Sequence, residues 1–357
     1  MMKLDRISRI TAVLLLSLTS VAPLDAASVE ESLDKINRLA TNDRAEALQR
    51  EARKEGQLVW YGAMNIERSA ELIRPFEAKY PFLKVKFQGG GASRLLEQLL
   101  IEHRNKKYRA DVINTRRSFV NVMVKENAVI RYRTPLRQFL RDGFADKEGY
   151  VNSIYAQPRV FLTNTNLVPR GRAPKSFEAL LDPAWKDKLG LESTDYDWLA
   201  ALIDHYGMNR ALKFAKRLAK QNLQMRRGTS LLSQLVVAGE FPIMIDAFPE
   251  EAVELKNSNA PADFLFPEPF VPVKTPTTIS LAAGAPHPYA AALFVDFLLS
   301  QQGQEIMAKQ RRWVSRKDVT YLSDLRGKKM VIPSEDWDDR QVELIKLFND
   351  LFLKDAK

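Results

Sequence analysis

The stretch Gln57-Leu-Val-Trp-Tyr-Gly-Ala-Met-Asn65 decides the fold of this chain. Its apolar residues 58–61 predict a buried strand that ends at Gly62 and opens onto a loop. An amphipathic helix is predicted next, with its apolar side at Ala70, Leu72, Ile73 and Phe76. Ligands of open α/β sheets bind beyond the carboxyl ends of such strands, so we expect this loop to form one wall of a ligand cleft.

Strand and helix patterns alternate through the rest of the chain. Further strands are predicted at residues 83–87, 110–114, 159–163, 188–192, 241–245 and 279–282. The alternation indicates an α/β fold of two successive units, each a mixed, mostly parallel sheet flanked by helices. Two such lobes joined by crossing segments would enclose a cleft that closes on a ligand by a hinge motion.

The domain limits follow from these patterns and from the polar and proline-rich crossings. Residues 27–55 are predicted to form a helical extension. Lobe 1 is expected to contain residues 56–158 and 275–318. Lobe 2 is expected to contain residues 159–274 and 319–357, the latter as a helical tail.

Composition argues for a globular protein that does not bind nucleic acid. The 357 residues are 45% hydrophobic and 27% charged, with a formal net charge of +10. The basic residues are scattered, and pairs such as Lys106-Lys107 are not extended into longer runs. No zinc-finger, homeodomain or aromatic–basic motif accompanies them, so we interpret the charges as solvated surface groups.

The N-terminus predicts export. Lys3, Arg6 and Arg9 precede a short apolar run at residues 10–18, and small residues follow at Ala22 and Ala26. The apolar run is too short to cross a bilayer, so residues 1–26 are interpreted as a cleavable signal peptide.

The absence of cysteine limits the chemistry further. The sequence contains no cysteine, which excludes structural disulfides, cysteine-bound metals, thiol catalysis and a lipid-modified N-terminal cysteine. We therefore expect a protein that is free in the periplasm and is not a lipoprotein.

Four segments in the same order resemble periplasmic binding proteins of the iron(III) and related solute class. They are Leu181-Asp-Pro-Ala-Trp-Lys-Asp-Lys-Leu189, Asn164-Thr-Asn-Leu-Val-Pro169, Val237-Ala-Gly-Glu-Phe-Pro-Ile243, and residues 285–304 with Ala285-Pro-His-Pro-Tyr289. The resemblance covers about residues 56–315 and includes thiamine- and polyamine-type relatives.

This resemblance implies a two-lobed, type II periplasmic binding protein fold. It also implies a monomeric receptor without catalysis or cofactor that delivers a small solute to the membrane permease of an ABC importer. A solute sensor acting on a membrane kinase would share the same fold, and the sequence does not separate the two.

The metal ligands of the iron-binding relatives are not carried over. Asn65 stands where those proteins place a histidine, Arg116 where they place a carboxylate, and Phe248-Pro249 where they place a tyrosine pair. Ferric iron needs hard anionic oxygen or nitrogen ligands. We therefore expect no metal site, and a receptor for ferric iron is kept as the alternative.

Several loops at strand ends are candidates for ligand binding. Gly90, Gly91 and Ser93 precede or open a helix, where free backbone N–H groups suit an anion; a tight turn that needs glycine is the alternative. Arg116 and Arg159 carry guanidinium groups that match a carboxylate or phosphate, unless each forms an ordinary ion pair. Tyr61, Asn65 and Thr115 complete the predicted wall as hydrogen-bonding groups.

The run Asp195-Tyr-Asp-Trp198 has an unusual combination of two acids and two aromatic rings. Asp195 is predicted to contact a ligand amine or hydroxyl, with Tyr196 or Trp198 for stacking or cation–π contact; helix capping by the aspartates is the alternative. Asp246 is a further acid at a strand end. Arginine with aspartate suits a zwitterionic or anionic organic solute, and a secreted hydrolase that uses these carboxylates is the second alternative.

Overall fold

The computed structural model describes residues 26–169, 171–320, 325 and 327–353. The predicted signal peptide lies outside these residues, apart from Ala26. Within the described residues, no helix has the length and apolar character that crossing a membrane requires.

The secondary structure follows the predicted alternation. The strands are β1 (Gln57–Gly62), β2 (Lys84–Gly89), β3 (Val112–Arg116), β4 (Val129–Ile130), β5 (Asn152–Pro158), β6 (Val160–Asn164), β7 (Leu189–Glu192), β8 (Gln224–Arg226), β9 (Ile243–Ala247), β10 (Ala262–Leu265), β11 (Val271–Ala282), β12 (Trp313–Val314) and β13 (Met330–Val331).

The first five helices belong to lobe 1, and the next two, α6 and α7, pack in the core of lobe 2. They are α1 (Ala26–Asn37), α2 (Thr41–Glu55), α3 (Ile66–Lys79), α4 (Ala92–Arg104), α5 (Arg117–Lys125), α6 (Tyr196–Tyr206) and α7 (Met208–Ala219). The remaining helices are α8 (Thr229–Ala238), α9 (Pro249–Asn257), α10 (Pro288–Leu299), α11 (Gln301–Lys309), α12 (Asp336–Asp339) and α13 (Gln341–Phe352). Short 3₁₀ helices occupy Pro135–Phe139, Glu178–Leu181 and Pro183–Trp185.

The strands form two sheets, one in each lobe. The sheet of lobe 1 has the order β12-β5-β11-β3-β1-β2, with β4 and β13 also paired to β11. The sheet of lobe 2 has the order β10-β6-β9-β7-β8. This two-lobed α/β architecture confirms the predicted fold class.

Both sheets contain more antiparallel pairing than the strand–helix alternation predicted. β1 is parallel to β2 and β3, and β7 is parallel to β8 and β9. However, β11 is antiparallel to β3 and β5, and β6 is antiparallel to β9 and β10. In lobe 1 the antiparallel strand is β11, and in lobe 2 it is β6, which follows β5 directly in the chain.

The opening strand β1 lies in the core of lobe 1, as predicted. Trp60 is fully buried and its ring centroid lies 5.0 Å from that of Phe294 in α10. A Cβ atom on Gly62 would come within 2.3 Å of the Phe87 ring in β2. Glycine is needed at this position because the aromatic side chain of the neighbouring strand occupies the space.

Two strands cross between the lobes, namely β5, which continues into β6, and β11, and they pair at the junction of the lobes. The backbone N–H of Arg159, between β5 and β6, donates to the carbonyl of Pro272 at 2.8 Å. The next pair in register is Pro158 with Val273. The predicted limit between residues 274 and 275 therefore falls inside β11, and the domain limits remain a proposal.

The C-terminal helices belong to the core of lobe 2 and also touch lobe 1. Phe348 of α13 packs edge-on against Tyr196, with ring centroids 5.3 Å apart. Trp337 of α12 is buried in the same core, and its indole donates to Asp204 of α6 at 2.9 Å. On the other side, Asp338 pairs with Arg117 of α5 at 2.9 Å.

Candidate functional site

A cavity of about 260 Å³ lies between the lobes, beside the crossing strands. Its position follows from the fold, since loops at the ends of β3, β7, β8 and β9 converge on the segment that joins the lobes. Its walls are formed by Arg116, Ser118, Arg159, Glu192, Thr194, Asp195, Tyr196, Asp197, Arg227, Gly228, Thr229, Phe248, Lys274, Thr275 and Gln341.

A buried ion pair lies at the centre of this cavity wall. The Nη2 atom of Arg159 is 2.6 Å from the Oδ2 atom of Asp195, and both side chains are almost completely buried. Burial tends to lower the pKa of Arg159, but the charges of Asp195 and Asp246 reverse this and raise it. Arg159 is therefore a permanent cation inside the cleft.

Arg159 retains hydrogen-bonding capacity that the protein does not use. Its Nε and Nη1 atoms are buried and have no hydrogen-bond partner among the described residues. The guanidinium lies 4.1 Å from the centroid of the Phe248 ring, which covers one of its faces. Buried donors without a partner are costly, so the arrangement favours an added acceptor.

Lys274, on strand β11, adds a second cation that is partly buried. Its Nζ atom lies 5.4 Å from the centroid of the same Phe248 ring. Burial lowers the pKa of Lys274, and the nearby charge of Arg159 lowers it further. An anion placed between Arg159 and Lys274 would relieve this repulsion.

Asp246 lies beneath the cavity wall, next to Asp195 and Glu192. It is completely buried at the end of β9, and its Oδ2 atom accepts a hydrogen bond from the N–H of Glu192 at 3.0 Å. Burial and the neighbouring carboxylate of Asp195 raise the pKa of Asp246 well above its usual range. Asp246 lies outside the cavity lining.

The loop carboxylates have protein partners. Glu192 accepts hydrogen bonds from the N–H groups of Thr194 at 2.9 Å and Gly228 at 3.0 Å. Asp197 accepts from the N–H of Thr275 at 3.1 Å. The Asp197 bond ties the start of α6 to β11, and the Glu192 bond ties the start of α8 to the end of β7. Both helix N-termini lie beside the cavity.

The charges around the cavity leave an excess of positive charge. The lining contains the four cations Arg116, Arg159, Arg227 and Lys274, against the three carboxylates Glu192, Asp195 and Asp197. The lining therefore carries a balance of one positive charge. The cavity can therefore accommodate an anionic group and still offer carboxylate oxygen atoms to a donor elsewhere on the same ligand.

Four of the predicted ligand-binding residues meet in this lining: Arg116, Arg159, Asp195 and Tyr196. Asp195 begins α6 but makes no side-chain cap, so its contact with Arg159 replaces the capping role considered from the sequence. Trp198 is 1% exposed and lies in the core of lobe 2, where it packs edge-on against Phe177.

The remaining predicted residues lie away from this cavity. The Tyr61 hydroxyl donates to Glu102 at 2.8 Å inside lobe 1, and Asn65 accepts from the N–H of Arg68 at 3.0 Å as the cap of α3. Thr115 is buried within β3. Gly90, Gly91 and Ser93 lie at the end of β2 and the start of α4. Their role in ligand binding remains a prediction.

The sequence reasoning did not identify Lys274 or Glu192 as site residues. Lys274 is part of a proline-punctuated crossing, and only the register with Gln157 shows that it lies next to Arg159. Phe248 was noted solely as a replacement for a metal-binding tyrosine. Predicting Lys274 as a site residue would have required knowledge of the pairing between β5 and β11.

The side chains of the site do not form a metal-binding set. Among the residues that the structure describes, no group of three or more histidines or carboxylates is arranged to hold a metal ion. At the position of the expected tyrosine pair, Phe248 covers two cations and Pro249 begins α9. Neither side chain supplies the anionic oxygen ligand that a tyrosine would offer to ferric iron.

Comparison with known proteins identifies relatives of this architecture. The sequence profile of the family described as bacterial extracellular solute-binding protein matches residues 109–336. An uncharacterized protein of Haemophilus influenzae is 28% identical over 193 residues, which cover 52% of this chain and 53% of that protein. The chain thus matches about half the length of this curated relative.

Solved structures share the whole two-lobed fold. Iron-bound HitA from Pseudomonas aeruginosa superposes with a TM-score of 0.68 and 21% identity, covering 83% of this chain and 99% of HitA. AfuA from Actinobacillus pleuropneumoniae, solved with fructose-6-phosphate, has a TM-score of 0.68 and 22% identity, covering 83% of this chain and 98% of AfuA. At 21–22% sequence identity, these similarities establish the fold alone.

Proposed function

We propose a transport function for this chain, which belongs to the bacterial extracellular solute-binding protein family. In this proposal the protein captures a small organic solute with an anionic group in the interlobe cavity and presents it to the membrane permease of an ABC importer. The predicted signal peptide supports a periplasmic location, and we propose that the protein acts there as a free monomer.

The two unused donors of Arg159 are the observation that carries the proposal. Nε and Nη1 are buried at a cavity wall, and Lys274 brings a second charge to the same place. A carboxylate or phosphate would satisfy the guanidinium and balance the excess positive charge. The Asp195 carboxylate, already 2.6 Å from Nη2, holds the guanidinium in position for such a ligand.

The volume of the cavity and the hydrogen-bond acceptors in its lining favour a compact solute. Its volume of about 260 Å³ is near the lower end of the range for small-molecule pockets. Asp197 and the hydroxyl groups of Thr194 and Thr229 are acceptors in the same lining. We propose that they receive a hydroxyl or ammonium group of the ligand. The sugar phosphate bound by AfuA is an example of such a solute.

Two other functions are less well supported by the side chains. Several structural relatives bind ferric iron, as HitA does, but Phe248 and Pro249 supply no ligand atom for it. A hydrolase would need a carboxylate free to exchange a proton with a substrate. Here Asp195 pairs with Arg159, Asp197 accepts from Thr275, and Asp246 is enclosed.

Native mass spectrometry of the protein purified from periplasm would test the proposal. We expect a bound small organic anion or zwitterion that is absent from Arg159→Met and retained by Arg104→Met, a surface control. Calorimetry with carboxylates, sugar phosphates, aminophosphonates and ferric citrate would then rank the ligand classes. Tight ferric binding without binding of any organic anion would refute the proposal.

A further inference from the structure

A second polar cluster joins the lobes outside the ligand cavity. Its centre is Glu250, in the first turn of α9 in lobe 2, whose side chain is 4% exposed. Three lobe 1 side chains surround it, namely those of Arg68, Gln157 and Arg312. We call these four residues the interlobe clasp.

The contacts of the clasp converge on one carboxylate oxygen. The Oε1 atom of Glu250 lies 3.0 Å from Nη1 of Arg312 and 3.9 Å from Nη1 of Arg68. It also accepts a hydrogen bond from the side-chain amide of Gln157 at 2.5 Å. Arg68 reaches further along α9 to Glu254, at 2.8 Å.

The partners of Glu250 are themselves fixed within lobe 1. The guanidinium of Arg312 stacks 4.6 Å from the centroid of the Tyr155 ring in β5. The side-chain amide of Gln310 donates to the carbonyl of Arg68 at 3.0 Å and to Glu71 at 2.8 Å, which holds the start of α3. The clasp therefore connects two rigid parts of lobe 1 to one helix of lobe 2.

The clasp is directly linked to the cavity through α9. Phe248, which covers the cations Arg159 and Lys274, immediately precedes the first residue of this helix. Glu250 lies two residues further on. Any movement of α9 away from lobe 1 would remove Glu250 from Arg312 and would also shift the Phe248 ring over the binding cations.

We infer that Glu250 is a positioning residue that holds the lobes closed before a ligand is bound and sets Phe248 over the cation pair. Opening the cleft would break the contacts of Glu250 with Arg312 and Gln157, so opening has a cost that is independent of the solute. This role rests on interlobe contacts and extends beyond the proposed transport function.

The neighbouring residue Glu251 offers a matched control. Its carboxylate is also on the first turn of α9, but it accepts hydrogen bonds from Ser230 and Ser233 of α8, within lobe 2. Substitution of Glu251 by glutamine therefore removes a carboxylate from the same helical turn without removing an interlobe ion pair.

Spin labels on the two lobes would measure the effect directly. Because the sequence has no cysteine, Ala78→Cys and Lys216→Cys would give unique label sites on exposed positions of α3 and α7. Pulsed electron–electron double resonance on the ligand-free protein would then measure the distance between the two spin labels, and so the separation of the lobes. Wild type, Glu250→Gln, Glu251→Gln and Arg312→Gln would be compared.

We expect a short distance for wild type and Glu251→Gln, and a shift to longer distances for Glu250→Gln and Arg312→Gln. The ratio of closed to open molecules should fall about tenfold or more in the latter two. The double variant should shift no further than the single ones if the pair acts as a unit.

Three results would overturn the inference. The first is an open distance in the ligand-free wild type, and the second is an unchanged distance in both Glu250→Gln and Arg312→Gln. The third is an equal shift in Glu251→Gln, which would assign the effect to a general displacement of α9. If Glu250→Gln fails to fold, as judged by circular dichroism, Arg312→Gln provides the same comparison.

Discussion

Arg159 and Asp195 form a buried ion pair of 2.6 Å between the first crossing segment and the start of α6. Both residues also line the interlobe cavity. The pair therefore has two effects. It fixes the orientation of a guanidinium whose Nε and Nη1 donors are unused. It also places a carboxylate on that guanidinium, with which an anionic ligand would compete.

Removal of one partner should destabilise the fold strongly. Arg159→Met leaves the buried Asp195 carboxylate without its cation, and we expect a loss of about 3–5 kcal/mol in the free energy of unfolding. The double variant Arg159→Met, Asp195→Asn should recover part of this loss. Urea unfolding measures both. Arg104→Met, which breaks an exposed pair with Glu126, should change stability by less than about 1 kcal/mol.

Substitution of Asp195 should change the affinities for anionic and for zwitterionic ligands in opposite directions. Asp195→Asn releases Nη2 of Arg159 and makes the cavity more positive by one charge. We expect tighter binding of a simple carboxylate or sugar phosphate and weaker binding of a ligand whose ammonium group uses Asp195. Titration calorimetry with matched pairs, such as an aminophosphonate and its desamino analogue, measures the difference. Parallel changes for both members of a pair would contradict the assignment.

Anion binding should be accompanied by proton uptake at Lys274. Burial and the charge of Arg159 lower the pKa of this lysine in the empty cleft. An anion nearby favours the ammonium form and raises the pKa again, so the complex binds additional protons at a pH between the two values. Calorimetry in two buffers of different ionisation enthalpy reports this uptake.

Lys274→Arg is the control for proton uptake, because a guanidinium remains charged in both states. The variant should bind the same anion with little dependence on the buffer. Equal proton uptake in wild type and Lys274→Arg would exclude Lys274 as its source.

Glu55 should make the protein less stable as the pH rises through neutrality. Burial raises the pKa of Glu55 to about 7, although it accepts hydrogen bonds from the N–H groups of Tyr289 and Ala290 at the start of α10. The folded state therefore holds a proton that the unfolded chain has lost above pH of about 4.5. Stability is present at low pH and is lost as the pH rises toward 7.

Urea unfolding between pH 5 and pH 8 tests this dependence. We expect wild type to lose about 2 kcal/mol over the range, allowing for partial exposure of the side chain, and Glu55→Gln to lose less. A residual slope of the same sign is expected from His287. Burial opposes its charged form, but Asp111 at 2.9 Å raises its pKa overall. Identical slopes in wild type and Glu55→Gln would contradict the role of Glu55.

Local patterns in the sequence were sufficient for the main elements of the fold. The predicted strand at residues 58–61 is the centre of β1, and Arg159, a predicted ligand-binding residue, lies at the junction of β5 and β6. Periodic burial of apolar side chains is encoded over short windows, which is why these elements were found. Strand β5 was not predicted because Asn152, Ser153 and Gln157 give it no apolar alternation.

The sequence by itself determined a two-lobed α/β receptor with arginine and aspartate at its cleft and without the tyrosine pair of the iron binders. Only the tertiary structure decided which charges meet. The pairing of β5 with β11 places Lys274 beside Arg159, and the docking of α9 places Glu250 on Arg312. These contacts join residues far apart in the chain, and their strength depends on burial and mutual distance, which no local pattern specifies.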